Sequence, residues 1–468
     1  MKNKNLWLTV IIAIGVVFLL TWIIPSTTYN DSGALVLGSI SPVGIWDFFY
    51  YLSMQFAWFY PNVIFLLFMA IFYGVINKTG ALRSLVELIT TKFKKREKLF
   101  LMISAALFVI VAGLTGIIFP LFFFVPLFVA VILNLGFNKI TALISTVVAI
   151  LVGFMGSLYA TSLYSAITTY VTAGISYAFY KVILLAVGLI AICLYQHFTA
   201  KIGKGKAKEE IDEEMLFIEK IEEKKKVKVW PIITALSIVL VLLVLGLTPW
   251  ATMYGFKGFA DFNTAVLAFK IGSFTVLKSI LGSSITAFGT WDILNISALL
   301  ALVTLVLVFI YKIKWTEVYE GAVSGIKKFI HTIILVLVIN MVFILASQSG
   351  ILTTIIKFFV GMTSGINVFT YSAAAFIGGA MVNESYITSY IIGTMNTILG
   401  NAKSLPLLVL IQQAMAALAM MIVPTSAILL AGLSYFDVSY KNWFKGIWKL
   451  FLILFVSVII ILALAISL

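Results

Sequence analysis

The residue in this chain best suited to chemistry is Glu384. It stands in Asn383-Glu384-Ser385, between Gly378 and Ile392, with no basic residue within ten positions on either side. An ionised carboxylate in apolar surroundings costs several kcal/mol unless paired, and such acids mark ion or substrate pathways in membrane-embedded chains. Two roles suit it: holding the ammonium of a cationic or zwitterionic solute, or taking up and releasing a proton. The plainer alternative is a solvent-exposed turn between helices.

Glu384 belongs to a polar, glycine-rich stretch, Gly378–Asn401 (GGAMVNESYITSYIIGTMNTILGN). A second such stretch, Gly153–Thr172 (GFMGSLYATSLYSAITTYVT), lies far upstream. Irregular backbone at membrane depth persists only when buried in protein or lining a watery cavity. Broken helices there offer carbonyls to cations and amide N–H groups to anions without any charged side chain. Ser157, Tyr159, Thr161, Ser162, Asn383 and Ser385 suit a solute that must bind and then leave. Equally, Ser, Thr and Gly are common glue between packed helices. Downstream, Val423-Pro424-Thr425-Ser426 ends an apolar run abruptly. Pro424 removes an amide donor and frees an upstream carbonyl, a candidate ion ligand. No arginine falls inside an apolar run, so a guanidinium clamp on a carboxylate is not available at mid-membrane. The acid is then the only formal charge near the proposed site, which favours basic amino acids as the solute.

The elements that must position these residues are helices in lipid. Of 468 residues 62% are hydrophobic and 11% charged, whereas a soluble chain carries about a quarter charged. The mean hydropathy is +1.14. Apolar runs recur at Leu6–Ile24, Val63–Ile76, Leu99–Ile118, Thr141–Phe154, Val182–Tyr195, Ile232–Leu247, Ile296–Ile310, Ile333–Ala346, Ser404–Val423 and Leu450–Leu468. The longer ones match the ~30 Å hydrocarbon thickness, and lipid forces them to be helical. The expected class is an all-α polytopic membrane protein. Pro120 and Pro126 kink the run they follow. The first run, after Met1-Lys2-Asn3-Lys4-Asn5, lacks an Ala-x-Ala-like cleavage site and is closed by Trp22 and Pro25. It is expected to be a retained helix with its amino terminus in the cytoplasm.

The net charge of +14 reflects lysines at run ends and in short loops, where positive charge is held in the cytoplasm, rather than a nucleic-acid surface. All the basic residues except Arg83 and Arg96 are lysine. Cys193 is the only cysteine, and His197 and His331 are too far apart for a local metal motif; no cofactor or metal is expected beyond Na+ or H+ coupling. Lys201–Lys228, with nine lysines and eight acids, reads as a solvated linker or helix. It divides the chain into a first repeat (1–200), a charged cytoplasmic linker (201–230) and a second repeat (231–468). Both halves contain a basic amphipathic connection, Lys78–Lys98 and Lys312–Lys328. Charge counting puts both on one side, which gives the halves the same orientation.

Several motifs carry a family resemblance. Phe119–Thr141 (FPLFFFVPLFVAVILNLGFNKIT), Val152–Ser157 (VGFMGS), Trp22–Tyr29 (WIIPSTTY) and above all Val423–Lys445 (VPTSAILLAGLSYFDVSYKNWFK) resemble the YfcC/ArcD-type family of the ion transporter superfamily, which includes basic amino acid antiporters. The resemblance implies two inverted repeats with re-entrant hairpins, divided into scaffold and transport regions, with elevator-like movement and a homodimer. Carried over by position, Gly156, Ser157, Pro424, Thr425 and Ser426 lie in or beside the hairpin and substrate region, and Gln413 matches a family glutamine. The chain departs from the family pattern at Ala416, Ala417, Ala419 and Met420, where a polar run is usual. It departs again at Gly113-Leu114-Thr115-Gly116, where an acidic pair is usual. The expected function is secondary transport of amino acids, basic ones first, by alternating access across the plasma membrane. The alternative is sodium- or proton-coupled transport of carboxylates or small peptides. With no P-loop and no clustered His, Asp or Glu in the runs, neither an ATP-driven pump nor an enzyme is expected.

Overall fold

Each expected apolar run becomes a helix in the computed structural model, which describes residues 4–158, 177–203, 212–219, 227–282, 284–382 and 388–467. The first half contains α1 (Lys4–Leu20), α2 (Ile45–Asn77), α3 (Ala81–Phe93), α4 (Glu97–Thr115), α5 (Val125–Asn134), α6 (Lys139–Met155) and α7 (Ala178–Thr199). The second contains α8 (Trp230–Leu247), three short helices α9 (Trp250–Tyr254), α10 (Gly258–Ala268) and α11 (Val276–Leu281), then α12 (Ile293–Tyr311), α13 (Trp315–Val338), α14 (Met341–Gln348) and α15 (Ile351–Val360). The chain closes with α16 (Val368–Met381), α17 (Thr388–Leu399), α18 (Leu405–Ile422), α19 (Ala427–Tyr435) and α20 (Tyr440–Ser467). Among the described residues eight helices, some continuous across these labels, are long and apolar enough to cross a membrane. The other two expected spans are the 17-residue α1 and the segment Lys139–Met155. A small antiparallel hairpin, β1 (Pro25–Tyr29) with β2 (Leu35–Ile40), follows α1.

The helix α20 shows why these runs sit in lipid. Trp443, Ile447, Leu450, Leu454 and Val458 recur at helical spacing and are buried. On the other side Phe444, Leu452, Val456, Ile460 and Leu464 are exposed yet equally apolar. A helix with no polar face is stable only where its outer face meets hydrocarbon.

The two halves are joined along α2 and α13 by glycines. A Cβ on Gly74 would lie 2.8 Å from the Gly325 Cα, and one on Gly325 would lie 2.8 Å from the Ala70 carbonyl carbon. Gly321 and Gly325, four residues apart, let the two backbones touch, the small-xxx-small crossing typical of membrane helices.

One face of the bundle collects the charged linker. Lys98 Nζ donates to the His197 carbonyl (2.6 Å), Tyr311 Oη to the Lys228 carbonyl (2.9 Å), and Gly203 N to the Gly136 carbonyl (2.9 Å). From this face α6 departs whereas α18 and α19 arrive at Tyr435, whose hydroxyl reaches the Met215 carbonyl. Likewise α7 arrives and α20 departs, paired through Tyr195 Oη and the Gly446 carbonyl (2.8 Å). In these two pairs the helices of the two halves thus run in opposite senses. Charge counting does place the two basic connections on one face, where Lys78 bridges Glu320 (3.1 Å), but the equal orientation drawn from it fails for the helices that follow, because the second half enters a hairpin that does not cross. That hairpin is α16 and α17. It starts at the far end, where Thr27 N meets the Gly350 carbonyl and Tyr29 Oη meets Thr394 Oγ1 (3.1 Å). With 14 residues α16 extends only roughly 20 Å at 1.5 Å per residue, too short to span ~30 Å.

Candidate functional site

The site is built where α6 ends. Gly153 allows α6 to touch α4, since a Cβ there would lie 2.6 Å from the Ala112 Cβ and the Val109 carbonyl. The helix stops at Met155, and Gly156 brings the backbone of α7 against the break: a Cβ would lie 2.6 Å from the Lys181 carbonyl. Ending a helix leaves carbonyls without intrahelical donors. Gln413, in the middle of α18 and fully buried, supplies them. Its Nε2 donates to the Phe154 carbonyl (2.9 Å), the Ser157 carbonyl (2.7 Å) and Ser157 Oγ (2.9 Å). Gln413 Oε1 makes no hydrogen bond, and the adjacent Gln412, equally buried, makes none through either side-chain atom. Buried polar atoms left unmatched are rare in native proteins and point to a partner such as water or a ligand.

The second glycine-rich stretch reaches the same helix. A Cβ on Gly379 would lie 2.8 Å from the Ala416 Cα, one turn along α18 from Gln413, and Val382 at the end of α16 is fully buried. Thr425 Oγ1 donates to the Ala380 carbonyl (2.6 Å), capping α16 as Gln413 caps α6. The structure therefore brings Gly156, Ser157, Gln413 and Thr425 together with Gly378–Ala380 along α18. Ser426 is placed differently: buried, it is the N-cap of α19, its Oγ accepting from Leu429 N. Tyr159, Thr161, Ser162, Asn383, Glu384 and Ser385 lie outside the described residues.

Two expectations are sharpened. The carbonyl that Pro424 frees for an ion is that of Met420, four residues upstream. The three carbonyls between it and the proline accept hydrogen bonds instead: Met421 from Trp443 Nε1 (3.0 Å), Ile422 from the Tyr440 hydroxyl, and Val423 from Ser426 N (3.3 Å). The Tyr-x-x-Trp spacing of the carboxyl-terminal motif puts both donors on one face of α20, so this motif supports the break. The second is electrostatic. The sequence shows Glu384 as the only formal charge near the site, but Lys181, in the first turn of α7, is fully buried beside the α6 break and its Nζ donates to the Leu158 carbonyl (3.4 Å). A lone lysine at the edge of an apolar run resembles an ordinary interfacial anchor, so only the packing against Gly156 reveals it. Gln412-Gln413, an amide pair inside an apolar run, was the visible signal for Gln412.

No curated protein matches the chain in sequence. Two solved structures align over almost its full length. The YdaH transporter of Alcanivorax borkumensis matches with a TM-score of 0.43 and 11% identity, covering 99% of this chain and 98% of that one. MtrF of Neisseria gonorrhoeae, described among antimetabolite efflux pumps, matches with a TM-score of 0.43 and 13% identity, covering 98% of this chain and 94% of its own. The family model for the C4-dicarboxylate anaerobic carrier, DcuC, matches residues 4–467. This agrees with the expectation of a multi-pass transporter rather than an enzyme, and does not point specifically to the amino-acid antiporter group that the motifs resembled. From α1 to α20, the chain is a member of the C4-dicarboxylate anaerobic carrier family.

Proposed function

We propose that this chain is a secondary carrier of C4-dicarboxylates across the plasma membrane. Its solute site lies at the junction of α6, α7 and α18, and its lysine-rich linker face is in the cytoplasm. Beyond the family itself, the observation that carries this reading is the buried side-chain amine of Lys181 beside the Gly156–Ser157 break, a partner for a carboxylate when it is protonated. A dianion drawn beside a lysine gains Coulomb energy, about 4 kcal/mol per charge pair at 4 Å for an effective dielectric of 20, that a cationic amino acid does not. The unmatched Gln412 amide offers a donor for a carboxylate oxygen. Coupling to a Na+ or H+ gradient and alternating access by movement of α6 with α16–α19 complete the proposal.

Purified carrier in proteoliposomes preloaded with succinate is expected to accumulate labelled succinate or fumarate by saturable counterflow. Counterflow of arginine or ornithine with none of dicarboxylate would overturn the reading and return the basic amino acid exchange that Glu384 suggested. Succinate at a hundred times its dissociation constant is expected to stabilise the protein by roughly 2.7 kcal/mol, read as a rise in melting temperature.

A further inference from the structure

The charged linker, which composition describes as solvated, contains an apolar core at Met215-Leu216-Phe217-Ile218 that is docked into the bundle. Phe217 is fully buried, with Leu216 and Ile218 5% exposed. Its ring stacks on Phe329 of α13 (centroids 6.1 Å, 14° between planes), lies 5.6 Å from Tyr73 of α2, and carries Lys328 Nζ 4.6 Å above it. Charges and carbonyls fasten the rim. Arg83 of α3 bridges Glu213 (3.1 Å) and donates to the Ile218 carbonyl (2.9 Å). Lys328 bridges Glu219 (3.2 Å) and donates to the Glu214 carbonyl (2.6 Å), while Asn77 donates to Glu219. Finally Tyr435, the last residue of α19, stacks on Phe329 (4.3 Å) and donates to the Met215 carbonyl (2.5 Å).

Two features distinguish this from a passive loop. Phe217 adopts a left-handed φ of 57°, a costly conformation for a bulky residue that must be held by its surroundings. The segment also ties together elements with different jobs: α2 and α13 form the glycine-sealed seam between the halves, with α3 following α2, whereas α19 continues the broken helix that carries Gln413 and Thr425. We propose that Asp212–Glu219 is a latch that fastens the inner end of α19 to α2, α3 and α13, and that it must let go once per transport cycle. Salt weakens its ion pairs and leaves its aromatic wedge, so the charges set how often the wedge is released. The latch rests on the chain being a carrier and not on which solute it carries.

The test uses the full chain with Cys193→Ser, so that introduced cysteines stand alone. In nanodiscs, Leu216→Cys is expected to react with a hydrophilic maleimide at least tenfold more slowly than the exposed control Lys201→Cys, yet to completion. Labelling as fast as the control would show that the segment is not docked, and no labelling would show a permanent strut; either overturns the latch. This arm needs no solute. In the second arm, Arg83→Cys and Glu213→Cys are joined in proteoliposomes by a short bis-methanethiosulfonate, which forms a disulfide with each cysteine, loses sulfinate, and is cut by a reductant. Succinate counterflow is expected to fall at least tenfold and to recover when the linker is cut. Unchanged counterflow while cross-linked, or loss without recovery, overturns the proposal.

Discussion

At Lys181 the electrostatic and packing arguments meet. Its side chain is held at the α6 break because Gly156 has no side chain to keep α7 away. Lys181→Gln keeps much of the length and removes the charge. It is expected to raise the half-saturating succinate concentration at least tenfold while the protein remains folded, measured by counterflow and melting temperature on the same preparation. Lys181→Arg, which keeps charge but changes shape, should recover part of the affinity. Gln413 has a structural duty that can be separated from transport. Gln413→Leu leaves the Phe154 and Ser157 carbonyls buried without their donor, at a cost of roughly 1–3 kcal/mol, visible as a lowered unfolding midpoint. With Glu384 as the group that takes up and releases a coupling proton, Glu384→Gln is expected to abolish uptake with the folded carrier still in the membrane; undiminished uptake would remove Glu384 from the coupling.

Among the elements, the break between α18 and α19 is maintained by α20, whose Trp443 and Tyr440 hold the Met421 and Ile422 carbonyls. Tyr440→Phe and Trp443→Phe are each expected to cost roughly 0.5–1.5 kcal/mol, with the pair less than additive because both fasten the same turn; chemical unfolding of the three variants checks this. The helices themselves were legible in the sequence, because hydrophobicity and length are local properties that lipid enforces. The break at Pro424 was legible for the same reason, as proline acts on its own turn. What the neighbouring helix does with the freed carbonyls was not, since it depends on which residues of α20 arrive there. Lys181 was invisible because burial is a property of the packed molecule, and the Phe217 wedge because four apolar residues are swamped by charge in any window long enough to find a helix.

Across the whole molecule, inversion of the halves was implied by motif resemblance and hidden from charge, since both basic connections share one face and the non-crossing hairpin, α16 with α17, reverses only the helices after it. Gly325→Leu is expected to drive α2 and α13 apart and to cost at least the roughly 1–3 kcal/mol typical of overpacking, measured by unfolding, while an alanine at the exposed-side Gly33, which has open space but a φ of 76°, should cost only its backbone strain.

The crossing of Gly74 with Gly321 and Gly325 has a mechanical corollary. Where two main chains touch with no side chain between them, there is no cushion to shear and no groove to slip along, so this junction behaves as a weld. One half contributes one plate and the other half its mate, which makes the immobile frame a joint product of both. On the proposed carrier reading, whatever travels through the bilayer with the solute is hung from that frame by its loops, and the length of those loops sets how far it can go.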